Sequence, residues 1–107
     1  MSVFISGDEM IVRTPVPGAV GKIVHNDETT VALWTFEEGT ELPAHEHPHR
    51  QIALVVEGTL ALTVGGETRN LSAGDSAIIP GNVLHGARAI TRCRVVDTFY
   101  PKREDLQ

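Results

Sequence analysis

The stretch LPAHEHPHRQ, residues 42–51, sets three histidines at alternate positions, with Pro48 between the second and third. In an extended strand, residues i and i+2 project to the same side. His45 and His47 therefore point together, close enough to grip one ion. Gln51 follows after Pro48 and a tight turn, which puts it on the next strand. Far downstream, PGNVLH (80–85) supplies a fourth candidate, His85. Imidazole nitrogen suits Zn, Cu, Fe and Ni, and an amide oxygen can complete such a sphere as a weaker, neutral ligand. An HxH pair alone is a common coincidence. His49 shares the parity of the other two, but Pro48 interrupts the strand, so it is expected in the turn, facing solvent or the rim of the site. His25 has no partner in the sequence and is expected to be a surface or satisfied core histidine.

Outward from this cluster, strand signals recur and helix signals do not. Thr29–Phe36, Arg50–Val56, Thr59–Val64, Ser76–Ile79 and Arg92–Phe99 are short and β-rich, bounded by Gly, Pro, Asn or Asp. Gly65-Gly66 reads as a two-residue hairpin turn, because glycine tolerates the positive φ that such turns need. Fainter runs at Ala19–Val24, Glu67–Leu71 and Gly86–Ile90 bring the expectation to roughly eight short strands. Turns at such spacing imply a sandwich or a closed barrel. Arg50–Val56 is apolar on both parities after Gln51, so one face is expected to line a core and the other a subunit interface. In Arg92–Phe99, Cys93, Val95, Asp97 and Phe99 share the inward parity. Asp97 is thus expected inside, where a carboxylate is costly unless paired, metal-bound or protonated. The C-terminal PKREDLQ is expected to be a short helical turn or a frayed tail.

The bulk numbers bound the function. A chain of 107 residues with 41% hydrophobic content is expected to form one domain over residues 1–107. The net charge of −5, with no basic cluster beyond Lys102-Arg103, argues against nucleic acid and anionic membranes as partners. Cys93 is the only cysteine, which excludes an internal disulfide and suits a reducing compartment. MSVFISGDEM lacks a basic segment before an apolar run, and no apolar stretch is long enough to span a membrane. A cytoplasmic location is expected.

The spacing Gly39-x5-His45-x-His47-x3-Gln51-x6-Gly58, over residues 39–58, resembles the first cupin motif. Gly74-x5-Pro80-x-Asn82-x2-His85, within residues 74–89, resembles the second. Gln51 stands where glutamate is usual, Asn82 where glycine is, and Ala89 where a final asparagine is. Asparagine tolerates left-handed backbone, so the second change is mild. Gln51 removes a negative charge beside the ion, which leaves it a stronger Lewis acid. The resemblance implies an all-β fold, a single cupin (double-stranded β-helix, jelly-roll) barrel. It further implies one divalent metal ion (Zn, Ni, Fe or Mn) on His45, His47, Gln51 and His85, and a homodimer.

The C-terminal segment, residues 97–105, runs Asp97-x-Phe99-x-Pro101-x-Arg103-Glu104-Asp105 and resembles the signature of the KdgF-like cupins of pectin and alginate degradation, whose metal motif carries the same glutamine. That resemblance implies conversion of cyclic 4,5-unsaturated monouronates to linear 5-keto-4-deoxyuronate. It assigns Asp97 and Arg103 to catalysis on the sugar, and Phe99 and Arg103 to binding it. Such a reaction needs a carboxylate clamp, a polariser of sugar oxygens and a proton carrier, and no redox cofactor. Two other functions fit the same residues. An Fe(II)-dependent cupin dioxygenase would consume oxygen and leave Asp97 and Arg103 incidental. A non-catalytic sugar-acid binding or sensor cupin would turn nothing over.

Overall fold

A computed structural model describes residues 3–106; Met1, Ser2 and Gln107, at the ends of MSVFISGDEM and PKREDLQ, lie outside the described residues. The described residues form ten strands. These are β1 (Ile11–Arg13), β2 (Ala19–His25), β3 (Thr30–Phe36), β4 (Glu41–His45), β5 (Arg50–Glu57), β6 (Thr59–Val64), β7 (Glu67–Ser72), β8 (Ser76–Ile79), β9 (His85–Ala89) and β10 (Cys93–Tyr100). Two 3₁₀ turns, Gly7–Glu9 and Glu104–Leu106, sit near the ends. Among the described residues no helix is long and apolar enough to cross a membrane.

The strands fall into two separate sheets. One has six strands in the order β1-β2-β3-β10-β5-β8, and the other four in the order β4-β9-β6-β7. The expected closed barrel is therefore corrected to two layers with free edges at β1, β8, β4 and β7. The reason lies in the connections. From β3 onward every link except the β6–β7 hairpin switches sheets, so consecutive strands stack across the core instead of pairing side by side. Loop bonds such as Gly74 N–H to Val55 O and Gly39 N–H to Ala89 O, 2.8 Å each, extend the β5–β8 and β4–β9 pairings within each sheet, and among the described residues no ladder joins one sheet to the other. Turn spacing alone counts strands and cannot say which edges join.

Local chemistry explains the rest of the frame. Gly65 and Gly66 take φ of 59° and 100°, as the hairpin between β6 and β7 requires. Asn82 is left-handed at φ 61°, in keeping with its place for a glycine. On β10, Cys93, Val95, Asp97 and Phe99 are buried and the intervening residues are not, so the inward parity read from the sequence holds. β4 is absent from the runs counted by composition, because Pro43 lacks an N–H for the ladder, although the alternating histidines already placed His45 on a strand. Its pairing with β9 breaks between Leu42 and His45, and it survives as an edge strand, where proline is tolerated. β4 ends at His45, so His47 lies in the loop beyond it instead of on a shared strand face.

Between the layers, Ile23, Trp34, Phe36, Val55, Leu60 and Val95 are among the buried core residues. Trp34 lies across Gly21 on the neighbouring strand, the two being register partners. A Cβ at Gly21 would collide with the indole ring. Gly21→Ala should therefore destabilise the protein by about 1–3 kcal/mol, the usual cost of overpacking. Urea titration followed by Trp34 fluorescence checks this, and an unchanged midpoint would show that the ring can move aside.

Candidate metal centre

His45 is the last residue of β4, His47 sits in the loop that follows, and His85 opens β9 as the register partner of His45. Sheet pairing thus brings together residues forty positions apart in the chain. The imidazole rings of His45 and His85 lie 4.4 Å apart, those of His47 and His85 4.8 Å.

Each ring is oriented by its own backbone. His45 Nδ1 lies 2.9 Å from Pro43 O, His47 Nδ1 3.0 Å from His49 O, and His85 Nδ1 2.9 Å from Val83 O. A carbonyl oxygen can only accept, so each Nδ1 carries the proton and donates it. In the neutral ring Nε2 is then left with a bare lone pair. One candidate ligand atom from each of the three residues lies within 4.8 Å of the others. His85 Nε2 is buried with no hydrogen-bond partner, an orphan that a cation would satisfy. A carbonyl behind each ligating imidazole is the usual support of a metal-binding histidine.

Electrostatics points the same way. Burial lowers the pKa of His47 to about 4, helped by the positive charge of Arg103 and by His85. Burial likewise lowers that of His85. Both rings are neutral near pH 7, the form that binds metals. The cluster could hold a divalent ion, and these residues fit one. Gln51, buried on β5, places Oε1 3.2 Å from His47 Nε2. Since that nitrogen bears no hydrogen and the amide oxygen bears none, the contact sets two acceptors side by side. Two acceptors so close are stable when a cation lies between them.

A cavity of about 400 Å³ opens beside the cluster. Its floor is apolar, with Trp34, Phe36, Leu60 and Leu62 among its walls, and its polar groups include His45, His85, Gln51, Asp97 and Arg103. Asp97 is buried, and its Oδ1 has no hydrogen-bond partner. Burial raises its pKa to about 6, against the opposing pull of donors on Gln51 and Trp34 and of the Arg103 charge. A carboxyl of that pKa holds or releases a proton close to neutrality. Arg103 stands at the mouth with its guanidinium 4.7 Å above the Phe99 ring. Its Nε and Nη2 donate to Asp105 at 2.8 and 2.6 Å. That pairing occupies one edge of the planar fork and leaves the Nη1–Nη2 end free.

Every site residue expected from the sequence lies at or beside this cavity except the two set aside, His25 and His49. His49 is in the turn, as expected, but is half-buried, with its ring edge against His47 and its carbonyl holding that residue's Nδ1. His25 lies away from the cluster, with Nδ1 2.7 Å from Thr30 Oγ1. No reading of the sequence pointed to Trp34 acting on Asp97 or to Asp105 holding Arg103. An aromatic on the inward parity of β3 was the available signal for the first.

The comparisons with known proteins agree with this geometry. The Cupin domain family matches residues 32–99. The H2HPP isomerase of Bacillus subtilis is 44% identical over 70 residues, 64% of this chain, and the chain spans 30% of that protein's length. The pectin degradation protein KdgF of Dickeya dadantii is 34% identical over 86 residues, which cover 78% of each chain. The solved structure of KdgF from Halomonas sp. superposes with a TM-score of 0.89 at 34% identity, covering 97% of this chain and 99% of that one. The chain belongs to the cupin family and is closely related to the KdgF-like proteins of pectin and alginate degradation.

Proposed function

We propose that the protein is a metal-dependent enzyme that opens cyclic 4,5-unsaturated monouronates to linear 5-keto-4-deoxyuronate. The observation that carries this reading is the convergence of Asp97 and the Arg103 fork on the cavity that His45, His85 and Gln51 line. His45, His47 and His85, with Gln51 as a weaker fourth ligand, would hold one Zn, Ni, Fe or Mn ion. When bound, such an ion supplies Lewis acidity to the sugar oxygens.

The remaining work falls to the chain. The free end of the Arg103 fork suits bidentate capture of the substrate carboxylate, and Phe99 beneath it gives the ring a flat apolar seat. The reaction is an isomerisation, so atoms and electrons balance within the substrate. The anomeric hydroxyl loses its proton as the bond from carbon 1 to the ring oxygen breaks. The ring oxygen keeps that electron pair as an enolate oxygen, and protonation of carbon 4 turns the enolate into a ketone. Asp97 serves both proton steps, taking the first proton and returning one to carbon 4. A pKa of about 6 favours this double duty. The apolar floor keeps bulk water from competing for the proton.

A second copy of the chain is proposed as partner, through the outer face of the six-stranded sheet. Ile52 and Ile78 are register partners there and are 50% and 80% exposed, with Leu54 and Val56 beside them on β5. Apolar groups on neighbouring strands form a contiguous patch of the kind that marks an interface. A chain of net charge −5 gains by meeting its copy through this uncharged patch, leaving the acidic groups in water.

Three outcomes are expected. Alanine at His45, His47 or His85 strips the metal from a folded protein, whereas His49→Gln retains it; elemental analysis decides, and stoichiometric metal in His45→Ala would overturn the assignment. Purified metal-loaded protein removes the ultraviolet absorbance of unsaturated monouronate without oxygen. Asp97→Asn then keeps metal but loses about 10²–10⁴-fold in kcat, the usual worth of a positioned acid or base, while Arg103→Ala raises KM. Absence of turnover under anaerobic conditions with any of the four metals sinks the isomerase reading. Light scattering should give a dimer that Ile52→Glu dissociates without loss of metal, and a monomeric wild type would refute the interface.

A further inference from the structure

The segment after β10 carries Arg103, and its backbone is tied to the far edge of the core by one side chain. Arg103 N–H donates to Thr30 Oγ1 at 2.7 Å, a contact across 73 residues of sequence. Thr30 is completely buried at the start of β3. It is the register partner of Phe99 on β10 and of His25 on β2. The same hydroxyl shares a second hydrogen bond of 2.7 Å with His25 Nδ1. Its oxygen therefore stands between a backbone N–H and a half-buried imidazole, with little freedom to turn.

The consequence for Arg103 is geometric. Its backbone is pinned by Thr30, its fork is gripped along one edge by Asp105, and its face lies over Phe99. Asp105 is largely exposed and rides on the same short segment, so it can orient the fork but cannot anchor it. Phe99 supplies a surface to lie on, and a surface permits sliding. Among the described residues, the Thr30 hydroxyl is the side chain that ties the arginine backbone to the sheet at a fixed point.

We propose that Thr30, backed by His25, is a positioning residue that sets the Arg103 fork for carboxylate capture. This rests on the assignment of Arg103 as the clamp. Thr30 touches no substrate and acts through the backbone of residue 103.

Thr30→Val is the direct test, since it removes the hydroxyl and keeps the branched shape. The metal-loaded variant should keep its ion and its cooperative unfolding. Exchange of the Arg103 amide, followed by NMR, should speed up about tenfold or more, as loss of a buried hydrogen bond allows. KM for unsaturated monouronate should rise about tenfold with kcat within about threefold of wild type. Thr30→Ser should restore both values. In an Arg103→Ala background, Thr30→Val should add no further rise in KM, because a positioning role vanishes with the group it positions. Wild-type exchange and KM in Thr30→Val, failure of serine to rescue, or a full additive loss in the double variant would each overturn the proposal. Galacturonate, a saturated uronate, serves as a non-reacting probe whose Kd separates the two ideas. If it binds wild type and Arg103→Ala equally, the clamp assignment is what fails. If it distinguishes those two but not wild type from Thr30→Val, the positioning role is what fails.

Discussion

Three hydrogen bonds from Nδ1–H to a backbone carbonyl, each reaching two residues along the chain, decide what this protein can bind. Each fixes a tautomer and aims an unprotonated Nε2 at a common point. Without them the imidazoles would be free to flip, and a cation would have to order them at its own cost in entropy. With them the ligand set exists in advance. Because His47 and His85 are already neutral near pH 7, a cation arriving there displaces almost no protons from them. The two-layer frame serves this arrangement. The β4–β9 pairing presents His45 and His85 side by side, and the loop after β4 folds His47 back toward them.

Around that point the polar groups are few and each has a defined constraint. Asp97 is held inside by strand parity, and the cost of burying it appears as a raised pKa. Gln51 lies between Asp97 and His47, its oxygen toward the imidazole and its amide donor toward the carboxyl. A glutamate there would set a second carboxylate against Asp97, and like charges in so dry a place repel strongly. The neutral amide avoids that repulsion while keeping an acceptor oxygen beside the histidine cluster. The departure from the common cupin pattern has, in this chain, a local electrostatic cause.

Much of this was legible in the sequence, and the parts that were not share a cause. Strand parity put Asp97 inside, and motif spacing gathered His45, His47, Gln51 and His85, because both depend on neighbours in the chain or on a fixed pattern. Whether the strands closed into a barrel depended on which edges hydrogen-bond, and turn residues carry no record of that. β4 showed only through the alternation of His45 and His47, because Pro43 lowers strand propensity at a position where the edge location forgives it. His49 was rightly set apart as a turn residue, yet its carbonyl orients His47, and every residue has a carbonyl, so the sequence could not mark it. The Thr30–Arg103 bond joins residues far apart in the chain through a side chain with no distinctive pattern.

The entrance to the cavity is built differently from its interior. Pro15 and Val16, before β2, and Arg103, Asp105 and Leu106, after β10, frame much of the opening, while the groups that could hold a metal and move protons stand on or beside paired strands. Pro15 and Asp105 are exposed and stand outside the ladders, so substitutions there are cheap in stability, whereas Val16 and Leu106 pack against the core and Arg103 is tied to Thr30. The interior has no such latitude, since each of its side chains is fixed by a register or a carbonyl. Divergence among relatives that share this frame can therefore accumulate at the exposed doorway positions, altering which molecules are admitted while the interior frame is kept.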